Sequence, residues 1–177
     1  IHRARYVKEV ERFIVPSNYA LDVAVRGGLP AGQVSVIPWG IRSVGSAHSR
    51  PSANIAFFGG RLHPTKGVEA LLRAWSTIPR GHGCKLRIAG AGELEPLVRR
   101  AVDCDPSIEF LGMLPAHSIA DEIQRAAVVV VPSLFPETMG LSALEALVAG
   151  TPIISSGRGA LSDLRGAGVW TLPQVDE

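Results

Sequence analysis

"AVVVVPSLFPETMGLSALEALVAGTPII", residues 127–154, is the stretch on which the reading of the fold turns. It opens with four valines in a row, closed by Pro132. A short, continuous β-branched run suits a strand buried on both faces, as in the middle of a parallel sheet. From Gly140 the pattern changes. Leu141, Leu144, Leu147 and Val148 recur at helical spacing, so an apolar helix is expected to pack against a core, with Gly150 and Pro152 as its stop. "PIISS" (152–156) then starts another β-branched run. Strand, turn, helix and strand in that order make a parallel βαβ unit. Within its helix stands one carboxylate, Glu145, and eight residues earlier another, Glu137. A shielded carboxylate needs a partner, and the sequence offers no obvious one for Glu145.

The same unit repeats outward in both directions. "NIAFFGG" (54–60) precedes Val68, Leu71, Leu72, Trp75 and Ile78, one face of a helix. "KLRIAG" (85–90) precedes a helix with Leu94, Leu97, Val98 and Ala101 on one side, and "IEFLG" (108–112) precedes "SIADEIQRA". After "PIISS" come a short helix in "ALSDLRGAG" and a closing strand, "GVWTL". The expected fold class is α/β: a Rossmann-like parallel sheet with helices on both faces. The first part stands apart. "RFIVPS", "NYALDVAVRGG" and "QVSVIPWGI" form a βαβ unit of their own, followed by a Ser, Gly and Pro-rich linker composition over 42–54. A boundary there gives one domain portion over 1–44 and a second domain over 45–177, which ends without a closing helix.

Composition narrows the function classes. The 177 residues are 46% apolar and 19% charged, as in an ordinary soluble globular protein, and a net charge of +2 argues for neither nucleic acid nor an anionic membrane. Cys84 and Cys104 show no metal or disulfide spacing and read as reduced thiols of a cytoplasmic protein. No run approaches the roughly 18 apolar residues of a membrane span. "IHRARYVKEV" is no signal peptide, and the absence of an initiator Met points to a fragment.

In open α/β sheets, ligands sit beyond the carboxyl ends of the strands. The unusual residues lie there: 59–67, 90–93, 112–114, 132–140 and 155–159. In "GGRLHPTKG" (59–67), Gly59 and Gly60 permit close backbone approach, while Arg61 and Lys66 flank a loop before a helix. Either cation alone reads as a solvated loop charge. Together, beside paired glycines, they read as a diphosphate site, although not a Walker loop. In "AGAGELEP", Gly90 and Gly92 imitate a dinucleotide fingerprint, but Glu95 stands at the third glycine position and no matching helix start is expected. That argues against a nicotinamide cofactor. Gly90 reads as a tight turn, and Gly92 as a place where a ligand could come close. Thr138 or Glu137 is expected to cap the helix that starts near Met139 or Gly140, with free N–H groups for an anion or a sugar oxygen. Glu145, about a turn and a half further in, could accept both hydroxyls of a vicinal diol such as a ribose. The plainer readings are a solvent-facing helix position for Glu145 and an exposed acid favourable to the dipole for Glu137. No metal-ligating set is expected. His2, His48, His63, His82 and His117 show no ligand spacing, and none is assigned to catalysis.

These residues resemble a known family. "PETMGLSALEALVAGTPII" is similar to the Glu-x7-Glu motif of the retaining glycosyltransferases of family four, which have the two-domain GT-B fold. "FFGGRLHPTKG" resembles their Gly-x-x-x-x-x-Lys-Gly loop, "IQRAAVVVVPS" one of their strands, and "VSVIPWGI" their domain-junction segment, with Trp39 where Asn is usual. The resemblance implies that 45–177 is the C-terminal domain, which binds a nucleoside-diphosphate-sugar, and that 1–44 holds the last elements of the acceptor-side domain. By the same resemblance Arg61 and Lys66 bind the diphosphate, Glu145 the ribose hydroxyls and Glu137 the sugar hydroxyls. The backbone of Met139, Gly140 and Leu141 approaches sugar and phosphate, and Met113 and Leu114 lie near the base. The implied activity is transfer of the sugar to an unidentified acceptor hydroxyl with retained configuration, catalysed through Glu137, Arg61 and Lys66 without a cofactor. The fragment alone is expected to be inactive, and peripheral membrane association of a longer protein stays open. The competing readings are a sugar-nucleotide epimerase or phosphorylase on the same architecture, and a non-catalytic nucleotide-binding module.

Overall fold

The computed structural model describes residues 7, 9–41, 54–79, 81 and 83–172. The boundary drawn between 44 and 45, most of the linker, and His2, His48 and His82 lie outside the described residues. The first βαβ unit is present: β1 (Phe13–Val15) and β2 (Val34–Val36) pair in parallel, joined through α1 (Asn18–Arg26). Ser17 caps α1 by accepting from Ala20 N at 3.1 Å. Its hydroxyl donates to the Thr138 carbonyl at 2.5 Å, which ties this unit to the segment that carries Glu137.

The main sheet has six strands: β3 (Ile55–Gly59), β4 (Lys85–Ala89), β5 (Ile108–Gly112), β6 (Val128–Val131), β7 (Ile153–Ser155) and β8 (Val169–Thr171). Their order is β5-β4-β3-β6-β7-β8, and every pairing is parallel. Helices α2 (Val68–Ser76), α3 (Glu95–Cys104), α4 (Ala116–Arg125) and α5 (Leu141–Val148) make the connections. Alternation along the strands divides the core between two faces. Phe58, Leu86 and Ile88 join Leu71, Trp75 and Val98 of α2 and α3 on one face. Phe57, Ala89, Val129 and Val131 join Ile123 of α4 and Ala143 and Ala146 of α5 on the other. The four-valine strand is therefore interior in the sheet: Val129 and Val131 are buried on one face, while Val128 and Val130 on the other are only half-buried, so the expected cover on both faces is incomplete among the described residues.

Three expectations need correction. Ile78 lies beyond the end of α2 and is 39% exposed. "ALSDLRGAG" forms only a 3-10 turn, Ala160–Asp163. In α5 the fully buried residues are Ala143 and Ala146, whereas Leu141 and Val148 are exposed. The small side chains allow the helix to lie close to β6 and β7, and that turns the leucine-rich stripe partly outward.

Candidate active site

The connections leaving β3 and β6 run in opposite directions along the sheet, so a crevice opens between the carboxyl ends of these neighbours. The loops 59–67 and 132–140 meet there. Thr65 O accepts from Leu134 N at 2.9 Å and from Phe135 N at 3.2 Å. Gly67 turns the chain at φ +71, so close to the second loop that a Cβ would lie 2.0 Å from Pro132 O. His63 caps the 3-10 turn Pro64–Lys66: its Nδ1 accepts from Thr65 N at 3.2 Å. The ring proton then sits on Nε2, 3.8 Å from Glu93 Oε1. His63 thus shapes the loop that presents Lys66.

Lys66 Nζ donates to Glu137 Oε1 at 2.5 Å. Ser133 Oγ, buried, donates to the same oxygen at 2.5 Å. The two residues assigned separately to phosphate and sugar are therefore joined here. Ser133 was missed by sequence reading, and the only signal was its place directly after a strand and four residues before Glu137. Neither Thr138 nor Glu137 caps α5. Its N-cap is Gly140, in the left-handed region at φ +73 and without a side-chain cap, because the Glu137 carboxylate is committed to Lys66 and Ser133. Among the described residues no backbone carbonyl accepts from Leu141 N or Ser142 N, so these donors face the crevice unclaimed.

Ser142 Oγ donates to Gly59 O at 3.3 Å and brings one face of α5 against the end of β3. Glu145 follows three residues later on that face. Other shielded carboxylates have cations: Glu122, 6% exposed, bonds Arg87 and lies 3.5 Å from Arg125. Glu145 is half-buried, and its carboxylate has no hydrogen bond or ion pair among the described residues. Burial holds its pKa above the usual carboxylate value.

The remaining candidates lie on the same edge with different surroundings. Arg61 is exposed, with no ion pair among the described residues. A Cβ on Gly60 would stand 3.6 Å from the Phe58 ring, so packing tolerates one there, while one on Gly59 would crowd the Phe57 ring at 2.9 Å. Gly90 and Gly92 are required by packing: a Cβ would lie 1.8 Å from Gly60 O and 2.3 Å from Leu62 O. As the spacing of Leu97, Val98 and Ala101 predicts, a helix follows this turn, α3 from Glu95, so the expectation that no helix start matches the two glycines does not hold. Met113 is 75% exposed just after β5, whereas the Leu114 side chain packs on the core. Two strand spacings of ~4.8 Å separate β5 from β3. Met139 is buried, so its side chain is not presented to solvent. An apolar groove of about 760 Å³, lined by Trp75, Val128, Val130 and Ile154 among others, contains neither Lys66, Glu137 nor Glu145. Among the described residues no cluster of His, Cys, Asp and Glu could hold a metal, and no helix is long and apolar enough to cross a membrane.

Comparison with known proteins shows the family and the fold. The sequence profile of the family "Glycosyl transferases group 1" matches residues 53–175. The chain is 35% identical over 123 residues to an uncharacterized glycosyltransferase of Methanocaldococcus jannaschii, a match that covers 66% of this chain and 31% of that one. It is 34% identical over 122 residues to the D-inositol 3-phosphate glycosyltransferase of Rhodococcus erythropolis, covering 63% and 27%. The match to each of these curated relatives spans less than a third of the relative's length. Among solved structures, Anabaena HepE in complex with UDP-glucose superposes with a TM-score of 0.77 at 20% identity, covering 93% of this chain and 50% of that one. The pneumococcal O-GlcNAc transferase GtfA, in complex with UDP and GlcNAc, gives 0.78 at 19%, covering 96% and 35%. At such identities the likeness is one of fold, that of a GT-B glycosyltransferase. The profile match spans well over half of the chain, and the chain belongs to the group 1 glycosyl transferases.

Proposed function

We propose that this chain supplies the donor half of a retaining glycosyltransferase, which moves a sugar from a nucleoside diphosphate to an acceptor hydroxyl. The observation that carries the reading is Glu145, a half-buried carboxylate without a partner among the described residues, on the edge where Lys66, Glu137 and the free α5 amides converge. In this reading a ribose diol is its partner. Arg61 and Lys66 neutralise the diphosphate as the bond from the anomeric carbon to its oxygen breaks. Glu137 accepts from sugar hydroxyls, the amides of Leu141 and Ser142 face phosphate or sugar oxygens, and the turn at Gly112, Met113 and Leu114 borders the base. The relatives in complex with UDP and UDP-glucose support a nucleotide-sugar donor. An acceptor oxygen must come within about 3–3.5 Å of the anomeric carbon, and the single βαβ unit of β1, α1 and β2 is too small to build that opposing wall. This chain therefore binds donor but turns it over at most by slow hydrolysis. The test follows nucleoside diphosphate release from candidate sugar nucleotides, with and without acceptors. Acceptor-dependent release by these 177 residues at ordinary enzymatic rates would contradict the half-site reading. For the full-length enzyme, an inverted anomeric centre in the product would overturn retention, and an epimer or a free sugar phosphate would favour the competing chemistries.

Glu145→Ala separates binding from stability. Two hydroxyl donors lose their acceptor, and a hydrogen bond to a charged group is worth ~1.5–3 kcal/mol, so nucleotide affinity should fall at least ~10-fold. Stability should not fall. A carboxyl whose pKa is raised on folding opposes folding while ionised, above its folded pKa, and that cost fades as pH drops toward 4.5. The variant should melt at or above the wild-type temperature at pH 7, with the gap closing in acid. Unchanged nucleotide affinity would remove the ribose role.

A further inference from the structure

Ser133 has no part in the reading above, yet it is 2% exposed and its hydroxyl points into the site. Its donor bond to Glu137 Oε1 and that of Lys66 are both 2.5 Å and share one oxygen. Oε2 accepts from no described group and is not sealed from solvent. The backbone of Glu137 is fixed as well: its N donates to Arg158 O at 3.3 Å and its O accepts from Ala160 N at 2.7 Å. Main chain and Oε1 are thus held, and a single free oxygen remains.

We infer that Ser133 is a positioning residue of the donor site, which orients the Glu137 carboxylate so that Oε2 is presented to the hydroxyls of the transferred sugar. The inference rests on the donor-site reading. Lys66 alone does not secure this orientation. An ammonium has three donors on a flexible stem, and a bound diphosphate competes for them. When Lys66 turns toward phosphate, a short, buried hydroxyl bond keeps Oε1 occupied and prevents rotation of the carboxylate. Glu137 is then correctly aimed in the state in which the sugar is bound. A purely structural serine would affect melting, but not the difference between ligands with and without the sugar.

That difference is the test. Calorimetric titration of this chain would use uridine, guanosine and adenosine diphosphates and their glucose conjugates, with wild type, Ser133→Ala and Ser133→Thr. The expected result is that Ser133→Ala weakens the diphosphoglucose about tenfold more than the matching diphosphate, and that Ser133→Thr, which keeps the hydroxyl, restores the wild-type ratio. Melting curves show whether the alanine variant is folded. Equal losses for both ligands, or no loss for either, would overturn the positioning role while leaving the donor site intact. Failure of wild type to bind any of the six overturns the donor-site reading, and this inference with it.

Discussion

Gly67→Ala should lose nucleotide binding and about 3 kcal/mol or more of stability. Two separate effects add. A non-glycine residue at φ +71 costs of order 1–3 kcal/mol, and overpacking costs a further ~1–3 kcal/mol. The second applies because the new methyl would stand 2.0 Å from Pro132 O, a backbone atom that cannot swing aside. For a domain of this length that corresponds to a fall of roughly 6–12 °C in Tm. The contact it breaks is the staple between the Lys66 loop and the loop of Ser133 and Glu137, so the site fails with it. Gly150→Ala is the control. It has a similar φ of +76 but nothing within 4 Å of its Cβ, so only the strain remains. Circular dichroism melts of both variants check this, and equal losses would show that close packing of the two loops is not what Gly67 provides.

Lys66→Met should reduce affinity for a nucleoside diphosphate about a hundredfold or more and leave the free nucleoside little changed. The lost ammonium removes a charged hydrogen bond worth ~1.5–3 kcal/mol. It also leaves the Glu137 carboxylate without its cation, beside an incoming dianion, and like charges at ~4 Å repel by about 1–4 kcal/mol at effective dielectrics of water to 20. Both changes have the same sign. Binding to wild type should weaken as salt rises, and the variant should lose part of that dependence. Equal losses for nucleoside and diphosphate would place Lys66 away from the phosphates.

What was legible in the sequence follows from the range of the interactions involved. The four valines point to an interior strand, and β6 lies between β3 and β7, although Val128 and Val130 on one of its faces are only half-buried. The glycine-terminated runs locate the strand ends, and with them the edge that carries the site. Contacts that join distant segments were not legible. Lys66 and Glu137 are 71 residues apart, and Ser17 and Thr138 are 121 apart. No local pattern pairs them. Without that pairing, Glu137 looked free to cap α5 and Ser133 had no visible purpose. The orientation of α5 was hidden for a different reason. Apolar residues surround most of that helix, so spacing alone does not choose the buried stripe, and close packing favours alanine over leucine. Glycines were ambiguous too: absence of a side chain serves ligand approach and loop packing equally, and only the neighbouring atoms at 67, 90 and 92 identify packing.

On the proposed reading these residues form a nucleoside diphosphate site in which the ribose is the partner of Glu145. The most direct measurement is a thermal-shift titration of this chain with uridine, guanosine and adenosine diphosphates, beside the same series on Glu145→Ala. At least one diphosphate should stabilise wild type, by about 2.7 kcal/mol at 100 times its Kd, and the same concentration should stabilise the variant much less. A chain that melts at the same temperature with and without millimolar amounts of all three, or a variant that responds as wild type does, would contradict it.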